Sequence, residues 1–209
     1  MRLLVATRSP HKIREIRRIL APLEEVEVVG PEEVGIPYDP AEEDLEPHAT
    51  FEANAISKAR YFHRRSGLPT VADDSGLEVD ALDGAPGVRS KRFAPGEGLE
   101  GQARDDANNA YLIRQLASVP PEQRTARYVC VAALVDEGGA VHTLRGEAEG
   151  VIVDTPRGRG GFGYDPHFLD AETGKTFAEL TAEEKNERSH RGEAFRALAA
   201  LLRRKRKEE

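Results

Sequence analysis

The chain holds a single cysteine, a single methionine and no tryptophan in 209 residues, and aromatic residues make up only 6% of it. One thiol excludes an intrachain disulfide and a multi-cysteine metal site. Cys130 lies inside the apolar run from Tyr128 to Val135, which reads as core packing. No apolar stretch approaches the roughly 20 residues of a membrane span, and Met1 to Thr7 is too brief for a secretory leader. The expectation is a cytoplasmic protein with no membrane partner. A positive excess is also missing: the formal charge is -7, which argues against a nucleic-acid partner. The one dense basic run, Arg203 to Lys207, suits a solvated helix end, where cations complement the dipole. An anionic small molecule stays compatible with this balance, because screening over about 8 Å lets a local cationic cluster override the total.

What is present is a pattern of alternating strands and amphipathic helices. Residues 2–6 read as a short buried strand. Ser9-Pro10 then reads as an N-cap followed by proline at the first helical position, predicting a helix to about Leu20. A second strand is expected near Val26 to Val29, and the acidic, proline-rich stretch from Gly30 to His48 reads as a loop or lid. Phe51, Ala55, Ala59 and Phe62 define a helix that Gly67 and Pro69 end. The approach Leu68 to Val71 reads as a strand that ends in two aspartates and turns on Ser75-Gly76. Gly76 to Gly101, with six glycines and two prolines, reads as irregular apart from a short strand at Leu77 to Val79. A helix over Ala103 to Ala117, a hairpin from Thr125 through Asp136-Glu137-Gly138-Gly139 to Leu144, and a further strand at Glu147 to Val153 follow. Thr181 to Glu184 carries the capping-box pattern, and Ser189 is the expected cap of a last helix with Phe195, Leu198, Ala199 and Leu202 inward. With no repeat and no clean linker, the fold class is α/β: one domain over residues 1–209, built on a long mixed central sheet flanked by helices, with two lobes and an active-site cleft between them.

Ala72-Asp73-Asp74-Ser75-Gly76 is the most informative segment. Alternation aims the two carboxylates at opposite faces of a sheet rim, an arrangement suited to a divalent metal or an activated water, although Asp-Asp-Ser-Gly is also good turn chemistry. The helix after Ser9 has Lys12 in its first turn, with His11 beside it and Arg8 just before. Cations at the positive end of a helix cost roughly 0.3 to 1 kcal/mol each unless an anion compensates them. His190 and Arg191 repeat the anomaly after Ser189, and two such openings suggest one shared polyanion. Gly158 to Pro166 formally fits G-x-G-x-x-G, but Tyr164-Asp165-Pro166 forbids the helix that a dinucleotide site needs. Its glycines instead let backbone approach a ligand, and Phe162 and Tyr164 offer flat surfaces for a base unless they pack in the core. Ser9-Pro10-His11-Lys12 lacks the partner motifs of a penicillin-binding enzyme, and Gly174-Lys175-Thr176 lacks the first glycine of a P-loop, where Leu169 stands.

Taken in order, five blocks resemble the inosine triphosphate pyrophosphatase family. They are Ala6-Thr7 through Lys12 with Glu15; Thr50-Phe51 with Asn54-Ala55 and Lys58-Ala59; Ala72 to Gly76 continuing to Gly84-Ala85-Pro86-Gly87; Gly160 to Pro166 with Phe168; and Ser189-His190-Arg191-Gly192 with Ala194. The resemblance covers nearly the whole chain. It implies a Mg-dependent hydrolase that cuts the α-β phosphoanhydride of ITP, dITP and XTP to the monophosphate and pyrophosphate, assembled as a homodimer. It further implies Asp74 as general base and metal contact, Glu46 as a metal ligand and Asp73 in support of that site. Thr7, Arg8, Ser9, Pro10, His11 and Lys12, with Lys58 and Ser75, would hold phosphates, and Phe162, Gly163, Tyr164, Asp165, Lys185, His190 and Arg191 the base and sugar. Two positions depart from the family pattern: Ser9 stands where asparagine is usual, and Ala53 where glutamate is usual, with Glu52 next door.

The chemistry is consistent with that implication. A triphosphate carries about four negative charges, which must be neutralised before water attacks its α-phosphorus, and Mg with Lys12 supplies such charge. Discrimination for a 6-oxo purine needs a donor at O6, for which His190 and Arg191 are candidates. A non-catalytic nucleotide sensor and a hydrolase of pyrimidine triphosphates are the rival readings. The first would release no pyrophosphate, and a substrate panel would expose the second.

Overall fold

The computed structural model describes residues 1–208, with side chains through Lys205. Its centre is a six-stranded sheet in the order β2-β1-β3-β4-β5-β6, formed by β1 (Arg2–Val5), β2 (Glu27–Val29), β3 (Thr70–Val79), β4 (Thr125–Val135), β5 (Val141–Ile152) and β6 (Phe168–Asp170). β1 pairs in parallel with β2 and with β3, while β5 and β6 are antiparallel, so the sheet is mixed. The helices are α1 (Pro10–Leu20), α2 (Phe51–Ser66), α3 (Gly101–Gln115), α4 (Ala182–Arg188) and α5 (His190–Glu208). The side chains of Arg206 and Lys207, part of the basic run, lie outside the described ones; Arg203 and Arg204 are exposed.

Local chemistry accounts for the boundaries. Ser9 caps α1 by accepting from the Lys12 N–H, with Pro10 at the first position. Thr50 caps α2, and Gly67, at φ +67°, closes it in the left-handed conformation that glycine adopts without steric cost. Thr181 and Glu184 form the reciprocal capping box of α4. The Gly30 to His48 segment is not structureless: it carries 3-10 turns at Glu32–Val34 and Pro40–Asp44, the second capped by Asp39.

Two sequence expectations are corrected here. β3 does not end at the aspartates but runs straight through Asp73-Asp74-Ser75-Gly76 for 10 residues, joining what reads as two short strands. Turn chemistry yields because the segment is buried and its carboxylates find partners inside the fold. β5 likewise runs continuously from Val141 to Ile152, absorbing the separate strand expected at Glu147. The three-residue β6 gives no signal of its own between Pro166 and the turn after Asp170.

The chain divides into two compact units. The first comprises Met1–Asp74, Cys130–Gly146 and the segment from His190 onward. Its core packs Leu3, Val5 and Val71 of the sheet, with Cys130, Ala132 and Leu134, against Ile16 and Leu20 of α1 and Phe195, Leu198 and Leu202 of α5. The second comprises Ser75–Val129 and Glu147–Ser189, and its core gathers Leu77, Val79, Leu112, Leu116, Tyr128, Phe168 and Phe177. The boundary in β3 falls between Asp74 and Ser75. Among the described residues, no helix is long and apolar enough to cross a membrane.

Candidate active site

Strand alternation sends Asp73 to the same face as Val71, the face covered by α1 and α5, and Asp74 to the opposite one. Asp73 is 1% exposed. Its Oδ2 accepts from Lys12 Nζ at 3.0 Å and from Arg191 Nη2 at 3.2 Å and Nε at 3.3 Å. Arg191 is itself buried at 2%, and its other arm reaches Glu15 Oε2 at 2.5 Å. Burial alone would raise the Asp73 carboxyl, but Lys12, Arg191 and Lys58 outweigh it and hold the group far below the ordinary carboxylate range. Arg191 is shifted the other way: burial opposes its charge, and Asp73 and Glu15 more than restore it. Lys12 and Arg191, from the two helix openings, thus share a carboxylate of the chain itself. Close approach makes this possible: a Cβ on Gly146 would stand 2.3 Å from the His190 carbonyl oxygen and 2.6 Å from the Ala194 nitrogen, so only glycine lets β5 touch the first turn of α5.

Asp74 is buried, and its Oδ2 accepts from Asn54 Nδ2 at 2.9 Å. Burial, then the negative charge of Glu46, raises its carboxyl above the ordinary aspartate value, and Lys58, Asn54 and Lys12 pull against that rise. Glu46 forms a short ion pair with Lys58. Desolvation would raise Glu46 and lower Lys58; their mutual attraction wins and moves each the other way. Asn54 also accepts from the His48 N–H at 2.8 Å and donates to the His48 carbonyl at 3.2 Å, so one amide ties the loop after Glu46 to Asp74.

Asp74 and Glu46 are hard oxygen donors, and the charge of Glu46 adds to burial in raising Asp74, so the pair fits a divalent cation such as Mg. Asp73 fits less well, because Lys12 and Arg191 already neutralise it. Among the described residues, no group of three or more His, Cys, Asp and Glu side chains is drawn together as a metal cluster.

Other members of the phosphate group are placed variously. Thr7 Oγ1 accepts from the Ser9 N–H at 3.2 Å and shapes the turn into α1. Pro10 and His11 are exposed, with His11 Nδ1 3.0 Å from Arg14. Arg8 points back into the loop before α2, bonding Glu42 at 2.7 Å and the carbonyls of Ile36 and Pro37. Its guanidinium is engaged in holding that loop. Ser75, half-buried, follows Asp74 in β3.

In the second unit, Asp165 is the anchor. It accepts from Lys185 Nζ at 2.7 Å, Tyr128 Oη at 3.2 Å and the Phe162 N–H at 2.9 Å. Lys185 Nζ also stands 4.8 Å from the centre of the half-buried Phe162 ring, within cation–π range. Tyr164 offers no open face: it is 4% exposed and its hydroxyl donates to the Ser90 carbonyl at 2.7 Å, so burial pushes that phenol well up. Its ring packs in the core, the alternative that the sequence leaves open beside a platform for a base. His190 is buried in the first turn of α5. A cavity of about 640 Å³ lined by Arg89, Arg92, Phe93, Arg104 and Tyr111 contains none of the candidate residues.

Asn54, Tyr128, Asp105 and Asn109 have no assigned role in the sequence reading. The signal for Asn54 is a polar residue inside the apolar stripe Phe51, Ala55, Ala59, Phe62, where burial demands a partner. Asn109 gives the same signal in α3, one turn before the buried Leu112.

A mixed sheet bearing two adjacent carboxylates among lysines and an arginine defines an α/β protein with an acidic centre ringed by cations. A profile of the Ham1 family matches residues 3–201, and the chain belongs to that family. The dITP/XTP pyrophosphatase of Frankia alni is 50% identical over 203 residues, covering 97% of this chain and 98% of that protein. That of Geobacter sulfurreducens is 52% identical over 200 residues, covering 96% and 94%. The solved Staphylococcus aureus Ham1 protein is similar with a TM-score of 0.83 at 33% identity, covering 98% of this chain and all 100% of that one. The nucleoside-triphosphatase / dITP/XTP pyrophosphatase of Mycobacterium abscessus gives a TM-score of 0.70 at 44% identity, with 97% and 99% covered.

Proposed function

We propose that this chain is a nucleoside triphosphate pyrophosphatase that hydrolyses dITP, ITP and XTP to the monophosphate and pyrophosphate, removing altered purines from the nucleotide pool. The observation that carries the reading is the convergence of Lys12 and Arg191, from the openings of α1 and α5, on Asp73, with Asp74 next in the strand and the Lys58–Glu46 pair coupled to it electrostatically. Full-length similarity to dITP/XTP pyrophosphatases supports it.

In this reading water attacks the α-phosphorus, the bond to the oxygen bridging to the β-phosphorus breaks, and the water proton passes to Asp74. A carboxylate raised above its usual range by burial and by Glu46 is a better proton acceptor than an exposed one, and Asn54 fixes its direction. The first-turn N–H groups of α1, Lys12 and Lys58 offset phosphate charge. Glu46 and Asp74 would hold Mg, which when bound polarises phosphate oxygens and lowers the pKa of water. Phe162 and Lys185 would face the base, with Asp165 holding both. The proposal includes a homodimer as the assembly and the cytoplasm as the compartment, as the family resemblance implies.

The test is pyrophosphate release from a panel of nucleoside triphosphates with and without Mg, on the parent and on Asp74→Asn. Expected is Mg-dependent release favouring dITP and XTP, and a loss of at least about 100-fold in kcat for the variant at unchanged melting temperature. Binding of dITP without pyrophosphate release would make the protein a sensor. Preference for a pyrimidine triphosphate would overturn the substrate assignment.

A further inference from the structure

α3 places two polar side chains, Asp105 and Asn109, four residues apart on one face. Both reach a single residue 54 or more positions away. The Gly163 N–H donates to Asp105 Oδ2 at 2.8 Å, and Asn109 Nδ2 donates to the Gly163 carbonyl at 2.8 Å. Gly163 stands at φ +64°, a left-handed conformation that turns the chain between Phe162 and Tyr164. Its two flanking peptide groups are thus gripped from one helix, one by a charge-assisted bond.

The neighbours complete the clamp. Asp165 takes the Phe162 N–H, and Tyr164 is pinned through Ser90. Asn108, next to Asn109, fixes the segment carrying Ser90: its Oδ1 accepts from the Ala94 N–H at 2.9 Å and its Nδ2 donates to the carbonyls of Lys91 and Ser90. Phe162 stays half-exposed, with its backbone N–H held by Asp165.

We propose that Asp105 and Asn109 are positioning residues that set base selectivity, by fixing the Gly163 turn and so the backbone position from which the Phe162 ring projects. The inference rests on the reading that Phe162 faces the purine. It assigns recognition of the base partly to residues of α3 that act through the Gly163 turn.

The experiment measures kcat and KM for dITP and dATP on Asp105→Ala, Asn109→Ala, Asp105→Asn and Phe162→Ala. Misplacement of a recognition group by about 1 Å costs up to roughly 100-fold in efficiency. Asp105→Ala and Asn109→Ala are therefore expected to raise the KM for dITP about tenfold or more and to lower the dITP-to-dATP ratio of kcat/KM about tenfold, with kcat for dITP within about threefold. Asp105→Asn retains an acceptor for the Gly163 N–H and is expected within about threefold of the parent. If Phe162→Ala moves KM while the two alanine variants leave both KM and the ratio unchanged, the clamp is refuted and the base-site reading stands. If Phe162→Ala leaves KM unchanged, the base-site reading falls and the inference with it. Amide hydrogen exchange on the parent needs no variant to fold: Gly163 N–H is expected to exchange far more slowly than an open loop, and exchange at an open-loop rate would overturn the proposal.

Discussion

Asp73→Asn separates the two aspartates by role. At neutral pH the substitution keeps the shape of the side chain and removes the charge that Lys12 and Arg191 share. Removing one partner of a buried ion pair costs about 3 to 5 kcal/mol, because the remaining charge is left uncompensated in a poorly solvated place. Arg191 keeps Glu15 at 2.5 Å, and Lys12 is partly exposed, so the lower end of that range applies. About 3 kcal/mol corresponds to roughly 6 to 12 °C in Tm for a chain of this size. The acid dependence has a definite sign. Asp73 is depressed in the folded protein, so its contribution is complete above the unfolded aspartate value of about 3.8 and is lost as pH falls below it. The gap in Tm between parent and variant is therefore constant from neutral pH down to about pH 4 and narrows below. Thermal melts across that range measure it, and a double-mutant cycle with Arg191→Met checks its origin, with a coupling of at least about 1 kcal/mol expected. A variant melting within about 2 °C of the parent at pH 7, or additive single effects, would refute the argument that Asp73 is the counter-ion of α1 and α5.

Gly146→Ala is expected to be among the most destabilising small substitutions in the chain, since its Cβ meets backbone at 2.3 Å and 2.6 Å and not a yielding side chain. A loss of about 2 kcal/mol or more by urea unfolding is expected, and a neutral result would mean that α5 can retreat from β5 freely. Asp136 accepts from Lys205 at 2.7 Å, His142 at 3.0 Å and the Ala140 N–H at 2.9 Å, and its carboxyl is held well below the ordinary range, chiefly by Lys205. Asp136→Asn should cost about 1 kcal/mol at neutral pH and low salt, with the difference from the parent shrinking below about pH 4. An equal difference at pH 7 and pH 2 would contradict that.

The sequence carried the helices well because their ends are written in local chemistry: Ser9-Pro10, Thr50 with Gly67, and the Thr181 box act within one turn of the residues they govern. It misread β3 for the opposite reason. Asp-Asp-Ser-Gly is turn-forming locally, and only Lys12, Arg191 and Asn54, which lie 20 to 118 positions away, make those carboxylates tolerable inside a strand. The same nonlocality hid Arg8, which reads as part of a cationic opening but is drawn away by Glu42, 34 residues on. It also hid Tyr164, whose hydroxyl finds Ser90 across 74 positions.

The opening anomaly shows how far spacing alone can reach. Two helix starts with cations where anions belong imply a common negative partner, and that much is legible without coordinates. Which anion meets them is not, because an internal aspartate and a phosphate present the same oxygens to Lys12 and Arg191. The structure resolves this by burial: Arg191 is at 2% exposure and engaged by both Asp73 and Glu15, whereas Lys12 retains an exposed fraction of 19%. Of the two cations, Lys12 is therefore the one with room to take a second anion while keeping Asp73. Arg191 acts through the carboxylate it holds, fixing the strand segment from which Asp74 projects to the other face of the sheet.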